Sequence, residues 1–326
     1  MFVAGMNGSG TSMLTESLGR HPELYAFPGE TRMIPHYIDC AGRFGDLDDD
    51  KNFHRLWTYV VRSAPDLEVF NGHQAVPIPE NWREFPRDLA SILDAVFRQF
   101  ARPHGKVRWC EKSPNNSEHL LRIAELFPQA RFVHIIRDGR DCAASTLRRQ
   151  HRNPELSINR WRKVVDEARR QGHQLGDRYF EVQYEQLTND PEQWMHAICE
   201  FLGLPFDPHV LESAMPQSSK GAGRLGGQVG KIEPNSQKFL RQFDEGQIRR
   251  LESIAGELLQ QLGYETFYAT GASDVGWARA KAIRFVDFFK ANHRLRDKLS
   301  GRRDISWSKV FRGTLASIRE YASKKY

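Results

Sequence analysis

The chain has 326 residues, 40% of them hydrophobic and 27% charged, which is enough apolar material for one large core or at most two small ones. No stretch approaches the ~20 apolar residues of a membrane-spanning helix, and no basic region precedes an apolar run at Met1-Phe2-Val3-Ala4-Gly5, so no secretory leader is visible. The net charge of +6 is uneven: residues 274–326 hold 14 Lys/Arg against 5 Asp/Glu and the remainder 33 against 36, which directs the basic end toward an anionic membrane surface or acidic glycan.

Phe2-Val3-Ala4 reads as a short strand, followed by the glycine-rich turn Gly5–Ser12 and a helix through Met13, Leu14, Ser17 and Leu18. Residues 38–104 mix acidic, aromatic and proline-rich pieces and read as helices and loops inserted between the first two strands. Val107–Cys110 is the second strand, and Ser113-Pro114 reads as an N-cap with proline at the first helical position. The helix behind it carries Leu120, Ile123, Ala124 and Phe127. Arg131–Ile136 is the strongest strand, bounded by Pro128 and Gly139, with a helix from about Asp141 to Gln150 after it. A further strand is expected at Tyr179–Gln183, then helices at 191–202 and near 245–262, each closed by glycine, Gly203 and Gly263. Pro216–Asn235 is rich in Gly and Ser and reads as a mobile loop. From Gly276 two basic amphipathic helices follow, one with Ile283, Val286, Phe289 and Leu299, the other with Trp307, Phe311, Leu315 and Ile318. Strands alternating with helices predict an α/β fold, P-loop-like and three-layered, with a central parallel sheet flanked by helices and a helical C-terminal extension. The domain boundary falls between residues 1–270 and a basic extension, 271–326.

The first loop presents backbone N–H groups to an anion, helped by the dipole of the helix behind it. Gly5 and Gly10 fit the nucleotide P-loop spacing, but Thr11 stands where that pattern has the lysine that neutralises β- and γ-phosphates. ATP or GTP hydrolysis is therefore disfavoured, and a ligand with fewer charges at that point fits better. Arg137 and Ser145 lie eight residues apart, at a strand end and one to two turns into the next helix, a spacing that aims a guanidinium and a hydroxyl at one phosphate. Arg149 is one turn beyond Ser145. Each of these residues alone is also compatible with a surface ion pair or a structural turn.

Gly5–Ser12, Gly29-Glu30-Thr31-Arg32, Arg137-Asp138-Gly139-Arg140 through Ser145, and Tyr184-Glu185-Gln186-Leu187 occur in the order seen in sulfotransferases that use 3′-phosphoadenosine 5′-phosphosulfate (PAPS). The pattern most resembles the tyrosylprotein sulfotransferases and the bacterial sulfotransferases similar to them, over residues 1–265. The resemblance implies an enzyme that moves a sulfuryl group from PAPS to a hydroxyl on a glycan, glycolipid or peptide tyrosine. It implies that Gly8, Ser9, Gly10, Thr11 and Ser12 wrap the 5′-phosphosulfate and that Arg137, Ser145 and Arg149 hold the 3′-phosphate. Tyr184 then lies near the nucleotide and Lys231 on a loop closing over it. Glu30 matches the general base and Lys112 the lysine that stabilises the departing phosphate oxygen, with Arg32 in support. His36 and His73 are the fallback bases. Gly8 departs from the tyrosylprotein pattern, which has arginine there, and so removes a cation from beside the sulfate unless another group replaces it.

Two other readings remain at this point: a P-loop nucleotide or small-molecule kinase, and a catalytically inactive nucleotide-binding module. The chemistry calls for no metal, and no Asp/His/Cys cluster has metal spacing. Nothing in the sequence points to nucleic acid. The four scattered cysteines, Cys40, Cys110, Cys142 and Cys199, and the missing leader predict a cytoplasmic protein with reduced thiols. The cationic faces and apolar stripes of the last 50 residues predict docking on anionic lipid.

Overall fold

The computed structural model describes residues 1–63, 65–214, 229–268 and 270–283. The chain divides into two compact units, Met1–Asp274 and Val275–Tyr326. In the second, residues 277–283 are helical and the Lys281 ammonium lies 3.9 Å from the centre of the Trp277 ring. The apolar stripes expected beyond Ile283, and with them the lipid-docking surface, lie outside the described residues.

The first unit begins with β1 (Phe2–Ala4), α1 (Thr11–Gly19) and β2 (Leu24–Ala26). Four helices follow, α2 (Ile34–Ala41), α3 (Asp50–Arg62), α4 (Pro65–Phe70) and α5 (Leu89–Ala101), before β3 (Arg108–Cys110) and α6 (Leu120–Leu126). Next come β4 (Phe132–Ile136), α7 (Gly139–Gln150), α8 (Pro154–Gln174), β5 (Tyr179–Gln183), α9 (Tyr184–Asn189) and α10 (Pro191–Leu202). A ribbon of β6 (Glu212–Ala214) and β7 (Val229–Lys231), then α11 (Phe239–Gln242) and α12 (Glu245–Gln261), complete it.

Five strands run parallel. β1 pairs with β4, β4 with β5, and β2 with β3. The two groups join where the Val3 N–H donates to the Glu111 carbonyl (3.0 Å) and the Glu111 N–H to the Met1 carbonyl (3.1 Å), giving the order β2-β3-β1-β4-β5. Successive side chains of a strand face opposite sides, and the register follows from that. Phe2, Ala4 and Phe132 enter one core with Trp57, Phe97 and Trp109, and Val3, Val133 and Ile135 enter the other with Leu14, Leu18 and Ile198. Helices thus cover both faces, the arrangement in which ligands gather at the carboxyl ends of the strands.

Several expectations change. The inserted helices lie between β2 and β3, not between the first two strands; β2 is only three residues long, too short to show a period. Ser113 makes no side-chain cap, because its hydroxyl is committed to Glu111, and the following segment breaks into a 3₁₀ turn (Pro114–Glu118) before α6. The Gly/Ser-rich segment is not all loop, since Val229–Lys231 pairs antiparallel with Glu212–Ala214; residues 215–228 are not described. The 21-residue α8 was not anticipated, although Asn153 caps it ahead of Pro154 and Ile158, Trp161, Val165 and Ala168 bury one face.

Candidate functional site

Each strand of the sheet ends on a residue or segment with a polar task. β1 leads into the Gly5–Ser12 loop, β2 to Glu30, β3 to Lys112, β4 to Arg137 and β5 to Tyr184. The loop is anchored from beneath by the Gly5 N–H, which donates to Ser117 Oγ (2.8 Å), and is folded on itself by Ser9, whose N–H (3.0 Å) and hydroxyl (2.7 Å) both donate to the Met6 carbonyl. Beyond it, the first-turn N–H groups of α1 have no intrahelical acceptor. Two glycines are dictated by packing. Gly10 (φ 98°) lies against Tyr184, so that a Cβ would sit 2.5 Å from the ring. Gly8 (φ 94°) lies against α7, where a Cβ would come 3.2 Å from Ser145 Cβ and 3.3 Å from the Cys142 carbonyl. A side chain at position 8 is strained by both conformation and space, so Gly8 contributes backbone alone.

On one side of the loop stands an ion-paired cluster. The Lys112 ammonium is 4% exposed as a residue and donates to Ser12 Oγ (3.4 Å) and to Glu30 Oε1 (3.2 Å). The second Glu30 oxygen takes Arg32, with Nη2 at 2.9 Å and Nε at 3.0 Å. Arg32 is exposed and left-handed (φ 57°). The two fallback histidines are elsewhere: His36 bonds the Tyr59 hydroxyl at 2.7 Å, and the His73 N–H donates to the Glu68 carbonyl.

On the other side cations collect. Arg137, 6% exposed, donates to the Gly8 carbonyl (3.1 Å), to Asp141 Oδ2 (3.0 Å) and to the Asn235 carbonyl, and its guanidinium lies 4.3 Å from the centre of the Tyr184 ring. Arg149 donates to Ser145 Oγ at 2.5 Å. Burial, then the Arg148 and Arg137 charges, lower the pKa of Arg149 from its ordinary value. Lys238 is also lowered, by burial first and then by Arg148 and Arg137, with Asp141 opposing. Burial and neighbouring positive charge that both disfavour the charged form of Arg149 and Lys238 mark a place where an anion would be welcome.

Lys238 and Asn235 were missed by sequence reasoning. Their segment returns about 100 residues after Arg137 and is tied down by the Phe239 N–H on Asp141 Oδ1 (3.0 Å); only the chain's long-range path could reveal it. Lys231, by contrast, is exposed on β7, in antiparallel register with Glu212. Among the described residues no cluster of His, Cys, Asp and Glu has metal-holding geometry.

A model of the sulfotransferase family matches residues 1–208. The chain belongs to the sulfotransferase family. Protein-tyrosine sulfotransferase 1 of Danio rerio is 22% identical over 286 residues, covering 81% of this chain and 72% of that protein. Protein-tyrosine sulfotransferase 2 of Gallus gallus is 25% identical over 276 residues, with 81% and 66% covered. The sulfotransferase domain of the Synechococcus PCC 7002 olefin synthase shares the fold, with a TM-score of 0.51 at 24% identity over 82% of this chain and 94% of that one. These relatives overturn the cytoplasmic location inferred from the sequence, since the sulfotransferases that match are of the protein-tyrosine class. The four thiols on which that inference leaned are all buried, a consequence of packing that carries no address. No helix among the described residues is long and apolar enough to cross a membrane.

Proposed function

We propose that this sulfotransferase takes its sulfuryl group from PAPS and delivers it to a tyrosine hydroxyl in a protein or peptide. The observation that carries the proposal is Lys112, which joins the anion loop to a carboxylate by bonding both Ser12 and Glu30. The donor set suits the nucleotide. Backbone N–H groups at the start of α1 and the hydroxyls of Thr11 and Ser12 serve the 5′ end, with Ser9 shaping the loop through its bonds to Met6, while Arg137, Ser145, Arg149 and Lys238 serve the 3′-phosphate. Tyr184, packed on Gly10 and Arg137, lines the space between them. The acceptor reading draws on the names of the matched relatives; a glycan or glycolipid hydroxyl is the alternative outcome of an acceptor screen.

PAPS supplies the sulfuryl group and a phosphate leaving group. Glu30 takes the proton of the attacking hydroxyl as its oxygen bonds to sulfur. The sulfur–oxygen bond to phosphate breaks, and Lys112 neutralises the charge left on that oxygen. The two roles are coupled: a protonated Glu30 holds Lys112 less strongly, which frees the ammonium as the leaving oxygen becomes anionic. Positioning and charge neutralisation supply most of the rate, as in phosphoryl transfer.

The test measures adenosine 3′,5′-bisphosphate (PAP) binding, and sulfate transfer from labelled PAPS to a tyrosine peptide and to oligosaccharide and glycolipid acceptors. PAP is expected to bind at least ~10-fold more tightly than AMP, which lacks the 3′-phosphate and hence its charge-assisted bonds. Tight MgATP binding with no response to PAP would instead establish a kinase, and PAP binding without transfer to any acceptor an inactive module.

A further inference from the structure

Glu30 and Lys112 come from different strands, and nothing in their own backbones fixes the distance between them. On the interior side of both lies Glu111, which is fully buried and which neither the sequence motifs nor the chemistry above employs. Glu111 precedes Lys112 and Thr31 follows Glu30, and adjacent side chains of extended backbone point to opposite sides. As Lys112 reaches Glu30 on the ligand side, Glu111 reaches Thr31 behind it.

The contacts are dense. Glu111 Oε1 accepts from the Thr31 N–H (3.2 Å), the Thr31 hydroxyl (2.7 Å) and the Ser113 hydroxyl (2.6 Å), and Oε2 accepts from Asn116 Nδ2 (2.5 Å). Ser113 Oγ in turn accepts the Arg32 N–H at 2.8 Å. Four donors offset the cost of burying a carboxylate, and three of the five bonds end on the Thr31–Arg32 backbone or side chain. They hold Arg32 in its left-handed conformation, which persists in a non-glycine residue only where its surroundings over-determine it. The same glutamate fastens β3 to β1 through its own backbone, so the clamp refers the Glu30 turn to the centre of the sheet.

We propose that Glu111 is a positioning residue that sets the spacing between Glu30 and Lys112 by gripping Thr31, an inference that rests on the sulfuryl-transfer reading of that pair. A misplacement of about 1 Å costs on the order of 100-fold in rate. Ground-state binding of the nucleotide, made at the loop and the Arg137 side, does not depend on it.

The experiment compares wild type, Thr31→Val, Thr31→Ser and Glu111→Gln in PAP release from PAPS with a tyrosine peptide present, in PAP affinity, and in amide hydrogen exchange of residues 29–33. Thr31→Val, which keeps the shape and removes one donor, is expected to lower kcat ~10- to 100-fold. The Kd for PAP and the KM for PAPS should stay within about twofold, and exchange at 29–33 should rise ~10-fold. Thr31→Ser, which restores the hydroxyl, should return kcat to within about threefold of wild type, and Glu111→Gln should show the Thr31→Val pattern if it folds. Wild-type kcat and exchange in Thr31→Val would overturn the inference alone, as would parallel losses of kcat and PAP affinity, which mark a merely structural residue. A wild-type protein that neither binds PAP nor releases it from PAPS would overturn the sulfuryl-transfer reading, and the catalytic meaning of the clamp with it.

Discussion

The two sides of the glycine loop solve opposite electrostatic problems. Around Glu30 the charges are satisfied among themselves: one carboxylate is shared by Lys112 and Arg32. Around Arg137, Asp141 pairs with Arg137, while burial and then the Arg148 and Arg137 charges lower the pKa values of Arg149 and Lys238. A side with the larger surplus of cations suits a fixed dianion, whereas a side whose single carboxylate is shared by two cations keeps its ammonium held until a proton and a leaving group move. On this reading binding belongs to the Arg137 side and chemistry to the Glu30 side, and substitutions should separate kcat from Kd accordingly.

The largest effect is expected at the paired side. Lys112→Ala should reduce kcat by ~10²- to 10³-fold, the scale for losing one donor to developing negative charge, and Glu30→Gln by ~10²- to 10⁴-fold. PAP affinity should change only a few-fold in either. A Lys112→Ala variant that loses PAP affinity as severely as kcat in titration and steady-state assays would erase the division. Next, Arg137→Ala should weaken PAP by ~10- to 100-fold, in line with about 1.5–3 kcal/mol for a hydrogen bond to a charged group. AMP affinity should hardly move, and equal losses for AMP and PAP would place Arg137 outside the 3′-phosphate subsite.

The smallest effect concerns pH. The pKa of Lys238 lies below the ordinary lysine value in the free protein, and a bound dianion raises it by favouring the charged form. The sign follows: PAP affinity is full below the free-protein pKa of Lys238 and falls as pH rises through it, with proton uptake on binding in that alkaline range. Lys238→Met should weaken PAP only ~3- to 10-fold near neutrality, the scale of one partly exposed charge contact, and flatten the alkaline decline. An unchanged alkaline slope in calorimetric titrations would remove Lys238 from the subsite.

Local signals made much of this legible in the sequence. The Gly5–Ser12 turn announces itself because closely packed backbone tolerates no side chain at positions 8 and 10, and Phe132–Ile136 because a strand buried on both faces is nearly all apolar, its one polar residue, His134, being bonded to the Tyr179 hydroxyl. Arg137, Ser145 and Arg149 share one strand end and one helix, so spacing alone brings them together. What escaped was non-local. Asn235 meets Arg137, and Phe239 meets Asp141, across 98 residues, and Thr31 meets Glu111 across 80. Such pairings depend on how β2, β3 and the returning segment are threaded, which no periodicity encodes. Lys231, expected on a loop, sits instead in a ribbon opposite Glu212.

The shielded thiols have a consequence of their own. Burial pushes Cys110 up to about 12 and Cys142 higher still, and a protonated sulfur without solvent access is a poor nucleophile and a poor target for oxidants. The catalytic body should therefore keep one covalent state in reducing and in oxidising surroundings alike, and a compartment's redox potential places no condition on where this fold can work.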